Sequence, residues 1–195
     1  QAAAKDGLAD AGYMVGMAYL KGFGGFIKDE AEAVKWFRKA GEQGHLKALY
    51  ALGQMNPAKG VKKDDPGAIK WVSKAAELGY SQAQYDLGYL YANGKGVAKD
   101  EAEAVKWYRK AAEQDHREAA YALGYVYDKG KGVDVDPDEA LKWYRIAAEK
   151  GDVNAQYELA RKYESGIDVD QDDQTAFKWY QRAAERGHTK AQFNI

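Results

Sequence analysis

Two acidic stretches, three histidines and two glycine–lysine–glycine loops carry the residue types from which a site could be built. Asp134-Val135-Asp136-Pro137-Asp138 and Asp168-Val169-Asp170-Gln171-Asp172 alternate carboxylates in the manner of a calcium loop. Such a loop needs a glycine at its sixth place and a bidentate Glu at its twelfth. Both sixth-place glycines are missing here, and the twelfth places are Arg145 and Trp179. A solvated loop ending in a helix N-cap is the simpler account. His45, His116 and His188 occupy one place in a repeating unit. Held two repeats apart they do not converge on one metal, and they read as linker residues. Gly94-Lys95-Gly96 and Gly130-Lys131-Gly132 lack the preceding strand and the longer glycine-spaced consensus of a phosphate loop, so they are turns. With no cysteine and only five Ser and Thr, no nucleophile–base pair is visible. No catalytic residue, metal or cofactor is expected.

Tyrosine is the outlier, with 15 residues, and its placement becomes clear once the period of the chain is found. Trp36, Trp71, Trp107, Trp143 and Trp179 stand 35, 36, 36 and 36 residues apart. A fixed period of this size is the signature of a stacked array. The unit seen most plainly in Ser81–His116 returns through the chain. The expected division is a tail of a preceding repeat at 1–7, repeats at 8–45, 46–80, 81–116, 117–152 and 153–188, and the start of a further helix at 189–195. The pattern is in progress at both ends, so the sequence reads as a segment of a longer array, or one closing by end-to-end contact.

Each unit predicts two antiparallel helices. Helix A carries apolar residues three and four apart, as in Ala83, Leu87 and Tyr91. Gly16, Gly53, Gly88 and Gly124 interrupt it, each at about 1 kcal/mol of helix propensity relative to Ala, which points to close approach of helix B. Asp29, Asp64, Asp100, Asp136 and Asp172 lie seven residues before each Trp and are expected to N-cap helix B. Glu32, Glu103 and Glu139 would complete capping boxes. The tryptophans and these glycines, Gly88 and Gly124 above all, are read as structural. In the second unit, Asn56-Pro57 predicts a short helix A and a local kink.

On helix A, residues about 100° apart place Gln82, Tyr85 and Tyr89 away from the buried face. The Tyr85 column reads Tyr13, Tyr50, Tyr85, Tyr121, Tyr157 and Phe193; the Tyr89 column reads Met17, Gln54, Tyr89, Tyr125 and Arg161. Tyrosine gives a large amphipathic contact with little rotamer entropy to lose, and it is enriched in binding hot spots. The invariant Tyr85 column either binds or packs between helices. The varying Tyr89 column, with Gln82, Asn93, Asp128 and Lys129 on the same rim, is the expected contact surface. The basic row of helix B (Lys106, Arg109, Lys110) is answered by Glu113, Glu149 and Glu185, as on a solvated face.

Lys and Arg number 29 against 30 Asp and Glu, and nucleic-acid binding needs a basic face that this balance does not supply. No apolar run approaches the ~20 residues of a membrane span.

Ala83, Leu87, Gly88, Tyr91, Gly94, Gly96, Val97, Asp100, Ala104, Trp107, Ala111 and Ala112 together resemble the pattern of the Sel-1-like repeat family, relatives of tetratricopeptide repeats. The resemblance spans nearly the whole chain; the departures are Asn56-Pro57, the long loop of the first unit, Ala160 and Asp168. It implies an all-α, right-handed superhelix of helix pairs, with helix A lining a concave face. It also implies an adaptor or scaffold role in binding a protein or peptide, and bacterial members that are often exported. A structural spacer that self-associates end to end is the competing expectation. Cysteine-rich members are linked with beta-lactam binding, but their cysteine framework is absent here.

Overall fold

The computed structural model describes residues 2–55 and 66–195, with backbone alone for 2–6 and 66. Asn56-Pro57 and Asp64 lie outside the described residues. The described residues form α1 (Ala2–Lys21), α2 (Glu30–Glu42), α3 (Leu46–Gln54), α4 (Pro66–Glu77), α5 (Ser81–Asn93), α6 (Glu101–Ala112), α7 (Arg117–Lys129), α8 (Pro137–Glu149), α9 (Val153–Ser165), α10 (Asp173–Glu185) and α11 (Thr189–Phe193). The chain divides into two compact units, Gln1–Lys99 and Asp100–Ile195. Within each, every helix packs on the next in sequence, from α1 to α5 and from α6 to α11.

Three A helices seat an aromatic or branched side chain of their B helix on glycine. A Cβ on Gly124 would stand 2.5 Å from Cδ1 and 2.8 Å from Cγ of Tyr144; on Gly16 it would stand 2.6 Å from the Phe37 ring, and on Gly53 2.6 Å from Val72. The rings and branches therefore rest on bare backbone, and Phe37 and Tyr144 are fully buried as a result. Alanines complete the contact, among them Ala33, Ala40, Ala140 and Ala147. Trp107 and Trp143 are buried, whereas Trp36, Trp71 and Trp179 are half-buried beneath a cation.

The helix ends follow the same unit. Asp29, Asp100, Asp136 and Asp172 accept from backbone N–H groups of the first turn. The capping boxes do not close. Glu32, Glu103 and Glu139 turn to Lys35, Lys106 and Lys142 instead. The N–H of Asp29, Asp136 and Asp172 is already donated to the carbonyls of Tyr19, Tyr127 and Tyr163. Gly94, Gly130 and Gly166 take the left-handed conformation that ends helix A.

The histidines are caps rather than linkers: Nδ1 of His45, His116 and His188 accepts from the N–H of Ala48, Ala119 and Ala191 at 3.0, 3.3 and 3.1 Å. Asp152 does the same for Ala155 at 2.9 Å. Leu8 stands at this place in the first unit and has no acceptor. There the chain does not break: α1 runs unbroken from Ala2 to Lys21. As expected from its sequence, α3 is short, with nine residues against thirteen in α5, α7 and α9.

Repeat junctions are sealed by glutamine. Nε2 of Gln84, Gln156 and Gln192 donates to the carbonyls of Ala76, Ala148 and Ala184 at 3.1, 3.0 and 3.1 Å. These carbonyls lie in the last turn of the preceding B helix and also accept from the N–H of Gly79, Gly151 and Gly187.

Lys162 is buried at a position held elsewhere by Leu90 and Val126. Its ammonium lies 2.7 Å from Asp128 and 2.6 Å from Asp168. Burial pushes the Lys162 ammonium down, but hydrogen bonds from both carboxylates outweigh it and raise its pKa. Burial pushes Asp128 up, and hydrogen bonds from Lys129 and Lys162 outweigh it, holding the carboxyl below its usual range. Asp168 replaces the second loop glycine and keeps its backbone, with φ at 63°.

Two outcomes follow. Gly124→Ala gains helix propensity but overpacks the Tyr144 ring, and chemical denaturation is expected to show a net loss of about 1–3 kcal/mol. Lys162→Leu leaves two carboxylates facing each other and is expected to cost about 3 kcal/mol. Adding Asp128→Ala and Asp168→Gly copies Leu90, Ala92 and Gly96 and restores stability. Because the folded pKa of Asp128 is depressed, its contribution is complete above the ordinary Asp value of about 3.9. It is lost as pH falls through the folded value. Denaturation at pH 5 and pH 3 is therefore expected to show a larger drop for the natural chain than for the triple variant.

Candidate binding surface

The two tyrosine columns occupy different surroundings. In the Tyr85 column, Tyr13 is half-buried and stacks on His45 at 4.6 Å, and Tyr157 stacks on His188 at 4.4 Å. Each ring thus lies against the cap of the next A helix. Tyr121 lies 5.8 Å from Tyr144, and Tyr85 is half-buried. Tyr50 meets the edge of Tyr80 at 5.3 Å and donates its hydroxyl to Asp86 at 2.7 Å. Burial first, then the Asp86 hydrogen bond, holds the Tyr50 phenol protonated far above its ordinary range. These rings form a half-buried wall between repeats.

The Tyr89 column faces water. Tyr89 is 42% exposed and Tyr125 38%. Gln54 and Arg161 are exposed, and Met17 is half-buried against the first unit's core. Asn93 is held to its own helix, its Nδ2 donating to the Tyr89 carbonyl at 2.8 Å. Lys129 pairs with Asp128 at 2.7 Å, and Arg161 with Glu158 at 3.2 Å.

Three participants were not singled out from the sequence. Asp86 is a hub: besides Tyr50 it accepts from Gln54 Nε2 at 3.4 Å and Gln82 Nε2 at 3.2 Å. It stands in a column otherwise read Met14, Ala51, Ala122 and Glu158, and that irregularity was the available signal. Lys95 and Lys131, taken as turn residues, reach back six positions and donate to the hydroxyls of Tyr89 and Tyr125, each at 3.0 Å. The six-residue spacing from Tyr to Lys was legible in both repeats. On helix B the basic row is only partly free in water. Arg109 and Arg145 donate to the hydroxyls of Tyr127 and Tyr163, and Lys110 lies over the Trp107 ring at 4.1 Å. Among the described residues no three His, Cys, Asp or Glu side chains are grouped to hold a metal, and no helix is long and apolar enough to cross a membrane.

Comparison with known proteins agrees with this geometry. The Sel1 repeat profile matches residues 9–45, 46–80, 81–116, 117–152 and 153–188. Among solved structures, a protective antigen present in uropathogenic Escherichia coli strains is 40% identical, with a TM-score of 0.88 over 97% of this chain and 40% of the antigen. The chain thus spans two-fifths of that protein's length. A Sel1 repeat protein from Oxalobacter formigenes is 36% identical, with a TM-score of 0.83 over 94% of this chain and 73% of its own. Cysteine-rich protein B of Helicobacter pylori is 30% identical, with a TM-score of 0.50 over 66% of this chain and 92% of its own. A search of curated protein sequences finds no match. Five consecutive repeat matches, helix pairs seated on glycine and solved relatives of the same build lead to one assignment: the chain belongs to the Sel1 repeat family.

Proposed function

We propose that this chain is a non-catalytic scaffold that docks a peptide or protein segment on its helix-A surface. Sel1 repeat proteins generally mediate protein–protein interaction, and the present surface supports that role in a specific way. The carrying observation is the contrast between the two tyrosine columns. Tyr13, Tyr50, Tyr121 and Tyr157 are half-buried with their rings or hydroxyls already engaged. Tyr89, Tyr125 and Arg161 project into water from the same helices or their equivalents. The wall supplies rigidity, and the outer column supplies contacts that differ from repeat to repeat. Rigid aromatic side chains on a fixed helical frame lose little entropy on binding, which favours affinity without large rearrangement. Gln54, Gln82 and Asn93 add amide donors and acceptors on the same rim.

Tyr89→Ala, Tyr125→Ala and Arg161→Ala combined tests the proposal. The three side chains are exposed, so the variant is expected to keep its helicity and melting temperature. Capture from a lysate of the source organism, with mass-spectrometric comparison of natural and variant chains, is expected to show loss of the specifically retained partner. Full retention of that partner by the folded variant refutes the docking face.

A further inference from the structure

We propose that Asp86 anchors a lysine side chain of the docked segment, received between its carboxylate, the Gln54 amide and the Tyr89 ring. This rests on the docking face proposed above and names the chemistry of its occupant. All the residues of the anchor lie within the first compact unit.

Asp86 carries a charge that its surroundings do not cancel. It is half-buried on α5, and the neutral groups of Tyr50, Gln54 and Gln82 donate to it at 2.7, 3.4 and 3.2 Å. Among the described residues it has no cationic partner. Its charge is felt nearby. Burial first, then the Asp86 hydrogen bond, raises the Tyr50 phenol, and burial, Tyr13 and Asp86 together raise that of Tyr80. A cation gains more from a partly desolvated carboxylate than from one in open water, because the lower dielectric screens the attraction less.

The fifth repeat shows the same carboxylate neutralised. Glu158 stands at the place of Asp86, and Arg161, one turn further along the helix, pairs with it at 3.2 Å. In the third repeat the residue one turn after Asp86 is Tyr89, so the helix presents a ring where the fifth presents a cation. The other repeats carry Met14, Ala51 and Ala122 at this place and have no carboxylate to satisfy. The uncancelled charge is confined to one repeat.

The acceptors fix the kind of cation. An ionised carboxylate offers about four acceptor directions. Two on Oδ2 are taken by the Tyr50 hydroxyl and Gln54 Nε2, and one on Oδ1 by Gln82 Nε2. The open direction therefore lies on a single oxygen. An arginine fork addresses both oxygens of a carboxylate, whereas a lysine ammonium is a point donor that needs only one. Gln54 is exposed, and with its Nε2 spent on Asp86 its amide oxygen is a second acceptor for the ammonium. Tyr89 is 42% exposed, and residues three apart are neighbours on a helix surface. Lys95 holds the hydroxyl end of the Tyr89 ring at 3.0 Å, so the incoming stem lies along the end nearer the helix. A lysine stem buries well against such a surface while its head stays at the charge.

Fluorescence anisotropy with labelled twelve-residue peptides tests this on the whole chain. One peptide alternates Lys and Ala, a second Arg and Ala, and a third Gln and Ala. The lysine peptide is expected to bind about fivefold more tightly than the Gln peptide, with the margin shrinking as salt is raised, and no less tightly than the arginine peptide. Asp86→Asn keeps an oxygen for the Tyr50 hydroxyl and removes the charge. It is expected to keep the melting temperature and bring the lysine and Gln peptides within about twofold. Tyr50→Phe removes the shortest hydrogen bond of the junction and keeps the charge. It is expected to lower the melting temperature and leave the lysine preference in place. Equal binding of lysine and Gln peptides, no measurable binding of the lysine peptide at millimolar concentration, or a lysine preference that survives Asp86→Asn overturns the proposal. Loss of the preference in both variants overturns it as well, since the junction and not the charge then carries the binding. Tighter binding of the arginine peptide, with the same dependence on Asp86, keeps the anchor and overturns the choice of lysine. Loss of the captured partner in the Tyr89, Tyr125 and Arg161 variant, with undiminished capture by the Asp86→Asn chain, sinks the anchor alone. Undiminished capture by both sinks the docking face with it.

Discussion

The structure depends on the contact between a bulky side chain of helix B and a stretch of bare backbone on helix A. Tyr144 rests on Gly124, Phe37 on Gly16 and Val72 on Gly53. A closely packed interior leaves no room for an extra methyl group without movement of its neighbours. The glycine costs helix propensity but lets two axes come near enough for alanines to fill the remaining space. In the fifth repeat Ala160 takes the glycine's place, and Tyr180 finds a different anchor, its hydroxyl donating to Glu164 at 2.7 Å. Burial first, then that hydrogen bond, pushes the Tyr180 phenol up to about 12.

Helix pairs that sit this close need their backbone ends satisfied within a short connection. The chain does so with side chains placed at fixed points of the repeat, though not in every copy: Tyr80 gives α5 no side-chain cap, and Leu49 and Ala120 stand where Gln84, Gln156 and Gln192 do. A histidine or aspartate accepts at the start of helix A, an aspartate at the start of helix B, and a buried glutamine donates to the carbonyls of the helix before it. The tyrosine beside each histidine cap is packed by the same arrangement, as Tyr13 on His45 and Tyr157 on His188 show. The surface on which a partner is proposed to dock is thus held by the connections between repeats as well as by the helices.

The period of the tryptophans and the glycines of helix A made the helix pairs readable, because both report constraints that recur at every repeat. The aspartate caps were readable for the same reason, as each precedes its tryptophan by seven residues. The half-buried state of Tyr13 and Tyr157 was not, since periodicity gives the direction of a side chain but not what stands opposite it. Neither was the role of the histidines, whose acceptor nitrogen looks the same in a list of residues whether it faces a metal or a backbone N–H. The glutamate at the third helical place suggested a closed capping box, yet the N–H it would have met was taken by a tyrosine carbonyl from the preceding helix. The lysines of the glycine loops stand a legible six residues after Tyr89 and Tyr125, but their reach back to the phenols depends on the left-handed glycine in between.

The lysine buried among Asp128 and Asp168 gives the repeats an order. Arrays of this kind are pictured as strings of interchangeable modules, lengthened by copying and shortened by loss. The fifth repeat could not follow the third in such a rearrangement without bringing Lys162 beside Ala92 in place of Asp128, a cation at a dry interface with half its counter-charge gone. Its neighbour is thereby written into its own sequence, and genetic shuffling of this segment is constrained to move the fourth and fifth repeats as a pair.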